Sequence, residues 1–387
     1  MKTFLMVTTA AICGATVAGA AGVERNAFNI EPLFEKGNYA EFSFRHVTPT
    51  VKGRDASLFG GLEFDDVANS FNSIGMAYKR DFGNGLSGAV ILEQPFGADL
   101  NYPYPNPAAG EGSIALGGTE VTVKSTSLTG LLRYKMENNF GVHGGLRIDR
   151  AEGNVKLRGL AYGPVNGYDV DLDSDVGIGW VAGVSYEIPE YAARVSLTYN
   201  SAIKHSFDTT EKGPLVDPDG PGPYPALPLL NGDSKTKVKT PSSLALDFQT
   251  GIAADTLLFG QIRWTKWSEF KVDPENFTKV TGEGLVDLDN STAVMLGVGR
   301  KFNENWAGSV AVNWESRDGE LVSPLAPTSG KKGITLAAIY TRDNMKITTG
   351  INYTKLGDAS PETSDDARAK TRNNELIGVG MKVGFTF

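Results

Sequence analysis

Fourteen stretches of this chain alternate, residue by residue, between an apolar face and a small or polar one. The connections between them alternate as strictly between short and long. Together these two patterns constrain the fold more than any single motif does. The stretches lie near 38–47, 71–81, 85–94, 121–136, 140–149, 174–187, 191–200, 241–251, 255–267, 291–302, 306–316, 333–341, 345–354 and 374–387. Phe42/Phe44, Ile74/Met76/Tyr78, Val142/Leu146/Ile148, Val195/Leu197/Tyr199, Val310/Val312/Trp314 and Ile334/Leu336/Tyr340 fall on the apolar face. Glu41/Ser43/Arg45, Arg194/Ser196/Thr198/Asn200 and Lys346/Thr348/Gly350/Asn352 fall on the other. A period of two is the mark of a strand lying between two different surroundings.

Six connections are short, among them "DFGNG" (81–85), "ENNFG" (137–141) and "TRDNM" (341–345); seven are long and polar. If successive strands are antiparallel neighbours, every short turn collects at one end and every long loop at the other. A soluble sandwich has no reason to sort its loops this way, whereas a bacterial outer-membrane barrel does. Each stretch also supplies about the ~9–11 residues a tilted strand needs to cross a bilayer. In lipid the backbone groups are all paired only if the sheet closes on itself. The expected fold class is therefore all-β: a 14-stranded antiparallel transmembrane β-barrel with short periplasmic turns and long extracellular loops. The last strand, "NNELIGVGMKVGFTF", must pair with the first to close it. Its terminal Phe387 matches the C-terminal signature that barrel assembly machinery recognises.

The N-terminus sets the compartment. "MKTFLMVTTAAICGATVAGA" has a basic start, an apolar centre and Ala18-Gly19-Ala20, so residues 1–20 are expected to be a secretory signal peptide. Cys13 lies inside it, and no cysteine follows, which excludes disulfides and thiolate chemistry from the mature chain. Residues 21–37 then precede the first strand, and residues 38–387 are expected to form the barrel. The net charge of −8 argues against nucleic acid as a partner. His46, His143 and His205 lie on different segments, so neither a metal centre nor an enzymatic triad is expected, and no cofactor. The Asp-rich run 169–175 is expected to be an acidic external loop beside lipopolysaccharide. "GVGMKVG" (378–384) sits inside a strand and opens no helix, so it is not a phosphate loop.

The block "TPSSLALDFQTGIAADTLLFGQIRWTKWSEF" (240–270) narrows the choice of barrel. A proline, Pro241, opens a strand; a short turn follows at Ala254–Asp255; the next strand ends in Trp264, Trp267, Ser268 and Phe270. This block, with "AVMLGVGRKFNENWAGSVAVNW" (293–314) and the ending "VGMKVGFTF", resembles the FadL family of outer-membrane transporters for long-chain fatty acids and other hydrophobic compounds. The resemblance implies a monomer in the Gram-negative outer membrane that needs no cofactor. External loop grooves capture the ligand, a lumen pocket receives it, and a kink in the third strand releases it sideways into the membrane.

Carried onto this chain, the kink falls at Gln94, Pro95, Phe96 and Gly97, where alternation fails and a proline cannot donate to the ladder. The same residues can also be read as a strand running out into a proline-rich loop. The resemblance also implies that residues 21–37 form a short N-terminal plug, or hatch, with Phe28, Ile30, Leu33 and Phe34 as the candidates to fill the lumen. The hatch is shorter than the family's and lacks its Asn-Pro-Ala element. Leu215, Tyr224, Leu227 and Leu229, in the longest loop (201–240), are candidates for external capture. Alternation points Arg45, Lys79, Arg133, Arg147, Arg194, Arg263, Lys346 and Lys382 inward, mostly toward inward acids. Arg147 and Arg263 are the candidates for a ligand carboxylate, which needs a cation once desolvated. The alternative function is a passive diffusion pore for small polar solutes, which would need an open, charged lumen.

Overall fold

The structure, a computed structural model, describes residues 23–26, 28–213, 230–286, 288–316 and 319–387. Fourteen strands form one antiparallel sheet: β1 (Tyr39–Thr50), β2 (Phe71–Gly83), β3 in two pieces (Leu86–Glu93 and Gly97–Asn101), β4 (Glu120–Lys135), β5 (Phe140–Lys156), β6 (Asp169–Ile188), β7 (Ala193–Asn200), β8 (Ser243–Ala253), β9 (Thr256–Thr265), β10 (Ser291–Lys301), β11 (Trp306–Glu315), β12 (Lys331–Arg342), β13 (Met345–Leu356) and β14 (Glu375–Thr386). Each pairs with its neighbours in sequence, and β1 closes on β14 from Tyr39↔Thr386 to Thr50↔Glu375. The closure continues past the last strand: Asn38 and Phe387 exchange backbone hydrogen bonds of 3.3 and 3.0 Å. The first and last strands thus close the sheet into a barrel.

Turn chemistry sorts the two ends. The tight turns place Asn84, Asn139, Asp255 and Asp343 at positive φ, a conformation that Asn and Asp tolerate. The long-loop end is built up instead. β5 and β6 run on past the expected limits, and 169–175 is the start of β6 rather than a loop. There Asp169 pairs with Arg158, Asp171 with Asn154 and Asp175 with His205. A further hairpin, Lys204–Lys212 with Gly232–Lys239, pairs onto β6 through Thr209↔Leu172 to Lys212↔Asp169. Together with the helix α1 (Glu275–Thr281) it encloses an external apolar core that includes Leu157, Tyr168, Phe207, Leu230 and Phe277.

The two faces of the wall divide as the alternation requires. Phe42, Phe44, Ile74, Met76, Leu146, Ile178, Val312 and Leu336 are exposed on the outer surface, where lipid covers them. Aromatics ring that surface in two belts. Trp306 lies 5.0 Å from Tyr340 and Phe140 4.7 Å from Tyr186 near the short turns, while Trp180 lies 5.1 Å from Tyr199 near the loops. Such belts hold amphipathic rings at headgroup depth. Inside, Lys79, Arg133, Arg147, Arg194, Arg263, Lys346 and Lys382 are all buried.

Candidate functional site

Among the described residues the wall is interrupted between β2 and β3. The β2–β3 ladder ends at Met76↔Leu92, and the two segments meet again only at the Ala68↔Leu100 bridge. Between these points the Ile74 N–H donates not to backbone but to the Gln94 side-chain oxygen, at 3.1 Å. Pro95 has no N–H to give, so the ladder cannot pass through it. β3 does not run out into a loop here; it resumes at Gly97 and stays paired with β4 through Gly97↔Lys124 to Asn101↔Glu120. Phe96 holds the break to β4: its N–H donates to Ser125 Oγ at 2.9 Å and its carbonyl accepts from Ser125 N at 3.1 Å.

The opposite edge of the break is taken by the N-terminal residues. Arg25 N and Asn26 N donate to Pro95 O at 2.8 and 3.1 Å, and Gly97 N donates to Val23 O at 2.7 Å. The Arg25 guanidinium stands 4.4 Å from the centre of the Phe71 ring on β2. Val23 packs with buried Trp267 and with Phe96, whose ring meets the indole edge-on at 6.2 Å. Trp264, three residues earlier, faces lipid instead. Beside the break a cavity of about 60 Å³ is walled by Pro49, Val51, Phe71, Ala98, Leu356 and Leu376 among others.

From there the chain crosses the lumen. Ile30 and Leu33 are buried against Ala77, Ile91, Leu131 and Val181 of the inner wall, with Phe28 and Phe34 packed beside them. Three acids of this segment meet three inward cations. Arg263 holds Glu24 with both guanidinium nitrogens, Arg194 meets Glu31 at 2.9 Å, and Lys346 meets Glu35 at 2.8 Å. Arg194 and Arg133 also stack on Phe34, at 4.2 and 4.6 Å, and Arg147 on Phe28 at 4.9 Å. Arg147 in turn donates to Glu93 at 3.1 Å, on the last residue before the break, and to Ser127 at 3.3 Å. Both head-group candidates, Arg147 and Arg263, thus already hold carboxylates, one from β3 and one from the N-terminal segment.

Leu215, Tyr224, Leu227 and Leu229 lie outside the described residues; the hairpin that carries their loop encloses Leu230 in the external core. Sequence reasoning passed over Glu24, Glu93 and the inward position of Trp267. The signal for Glu24 was available: three acids in a seventeen-residue segment are preceded by no strand of their own, while the barrel carries a surplus of inward bases.

A closed fourteen-stranded barrel whose lumen is crossed by its N-terminal segment and whose third strand is interrupted defines an outer-membrane transport barrel. The sequence matches the family described as outer membrane protein transport protein (OMPP1/FadL/TodX) over residues 76–279, more than half of the chain, and the chain belongs to that family. Its fold is similar to that of a Pseudomonas aeruginosa FadL homologue, with a TM-score of 0.70 at 13% identity over 95% of this chain and 93% of that one. The toluene transporter TodX of P. putida aligns with a TM-score of 0.62 at 11% identity, covering 96% and 99%. The Ralstonia pickettii toluene transporter TbuX gives 0.61 at 10% identity, covering 95% and 98%. No curated protein sequence matches the chain significantly.

Proposed function

We propose that this barrel takes up long-chain fatty acids or similar hydrophobic compounds, such as the monoaromatics its structural neighbours are named for, by passive capture and lateral release. The observation that carries this reading is the break in the β2–β3 ladder, with a small, largely apolar cavity beside it and the N-terminal segment laid across its edge. Transfer of each methylene from water is worth about 0.8 kcal/mol, so capture needs no chemical energy. What the protein supplies is a route past the polar lipopolysaccharide, with an opening toward the acyl chains.

Arg263 gives the route a trigger. A cargo carboxylate that reaches this guanidinium competes with Glu24, and Glu24 sits between the residues that bond to Pro95 and Gly97. Exchange of one carboxylate for the other frees the N-terminal segment from the break. Arg147, tied to Glu93 at the start of the break, is the second point where an anionic head could act. A polar-solute pore is disfavoured by the apolar packing of Ile30 and Leu33 in the lumen. The barrel acts as a monomer among lipid and lipopolysaccharide, placed there by the assembly machinery.

The test bridges the break. With Ile74→Cys and Gln94→Cys in the otherwise cysteine-free mature chain, a short bis-maleimide ties β2 to β3. Uptake of radiolabelled oleate and of toluene by cells should fall to the level of a strain without the protein. Unchanged uptake of both after complete bridging overturns lateral release.

A further inference from the structure

Below the hatch, at the short-turn end, a second cavity of about 480 Å³ opens between β2, β3, β4, β6 and β7. Five basic side chains and three acidic ones line it, in a chain whose overall charge is −8. The pairing within it leaves positive charge over. Glu187 alone answers both Arg133 and Lys135. Arg194 is matched by Glu31 and Glu35 by Lys346, so neither adds to the balance. Lys36 is exposed at the mouth, and Asp81 is the remaining acid.

Lys79 is the centre of the argument. It is 4% exposed, and its ammonium donates to two carbonyl oxygens of the hatch, Glu35 O and Gly37 O, both at 2.8 Å. No carboxylate lies within salt-bridge distance of it among the described residues, and an ammonium has a third proton to give. The buried Nε of Arg133 likewise has no hydrogen-bond partner. A buried charge answered only by carbonyl dipoles and a buried donor left unmade are both costly, and both line the same space.

We infer that this vestibule is a binding site for a compact oxyanion, a carboxylate or a phosphate, held by Lys79 and Arg133 with Lys36 and Lys135 at its rim. The site is separate from the apolar route through the β3 break and faces the periplasm, on the far side of the hatch. An anion seated there shares the Lys79 ammonium with the hatch carbonyls. Two sources present that chemistry: the head of an amphiphile that has passed the hatch, or phosphate already in the periplasm.

Titration calorimetry on the purified barrel in dodecyl maltoside separates them, with octanoate, inorganic phosphate and neutral octanol as probes. At least one oxyanion should bind, and 0.5 M NaCl should weaken it. Tighter octanoate assigns the site to an amphiphile's head, tighter phosphate to the free ion. Lys79→Met should lower the affinity about tenfold, the loss of one charge-assisted hydrogen bond. Lys36→Glu, an exposed change that leaves the fold alone, should lower it by a smaller factor, and Lys79→Arg should retain it. Absence of binding by both oxyanions overturns the inference, as does equal affinity in wild type, Lys79→Met and Lys36→Glu. Toluene uptake by cells with the wild-type barrel tests the lateral route separately.

Discussion

Arg263 on β9 forks onto both carboxylate oxygens of Glu24, a residue 239 positions earlier in the chain, and both partners are buried. A buried pair broken from one side strands a charge, at a cost of about 3–5 kcal/mol, whereas removing both partners costs far less. Glu24→Gln and Arg263→Met should therefore each loosen the N-terminal segment, and the double variant should restore it in part. Protease cleavage within residues 23–35, followed by mass spectrometry on the folded barrel, reads the order directly. Planar-bilayer conductance should rise in the single variants. Equal protection in all four proteins would remove Glu24 as the latch.

The two tryptophans of the 264–267 motif do different work. Trp264 is 41% exposed on the lipid face, and Trp267 is 1% exposed against Phe96 and Phe270. Trp267→Ala opens a void beneath the break and should cost about 3–5 kcal/mol. Trp264→Ala gives up only a belt contact and should cost much less. In single-tryptophan variants in brominated lipid, Trp264 fluorescence should be quenched and Trp267 fluorescence should not. Quenching of both places Trp267 outside the lumen.

The barrel was legible because lipid tolerates no compromise: Ile74, Met76 and Tyr78 must face outward together, and every segment under that rule shows the same stripe. The rule stops where the strands leave the membrane. The hairpin of 204–212 and 232–239 reads "KHSFDTTEK" and "GDSKTKVK", with no lipid face to impose a stripe, and so it passed for loop. β6 likewise begins at Asp169, in a run whose alternating aspartates read as loop chemistry. The β3 break was visible at Pro95, yet its continuation at Gly97–Asn101 depends on pairing with β4, a long-range fact. The same holds for Glu24: its type and place were plain, but its partner Arg263 lies 239 residues further along the chain.

Asp55, in the external loop after β1, accepts hydrogen bonds from Ser113 Oγ and Ile114 N at 2.6 Å and from Ala115 N at 3.1 Å. Burial raises its pKa above the ordinary value of 3.8, outweighing the three donors that pull the other way. A carboxyl whose folded pKa is raised contributes stability that is present below the unfolded value and is lost as pH rises through the folded one. The contact between this loop and the 113–116 turn should thus hold tighter at pH 4 than at pH 8. Hydrogen exchange of the 53–64 amides, corrected for intrinsic rates, should show that difference. Asp55→Asn should erase it, and a pH difference that survives the substitution assigns it to another group.

Phe387 separates the stability of the barrel from its assembly. Its backbone completes the closure with Asn38, but the residue is 60% exposed and, among the described aromatics, its ring meets Tyr78 alone, at 6.2 Å. Phe387→Ala keeps the backbone pairing and loses an aromatic contact worth about 0.5–1.5 kcal/mol. The refolded variant should therefore unfold in urea close to wild type. If the assembly machinery recognises this ring, as proposed, the amount of heat-modifiable barrel in the outer membrane of cells should drop several-fold, far more than the small stability change can explain. Normal outer-membrane levels of Phe387→Ala would show that this chain is recognised elsewhere along β14.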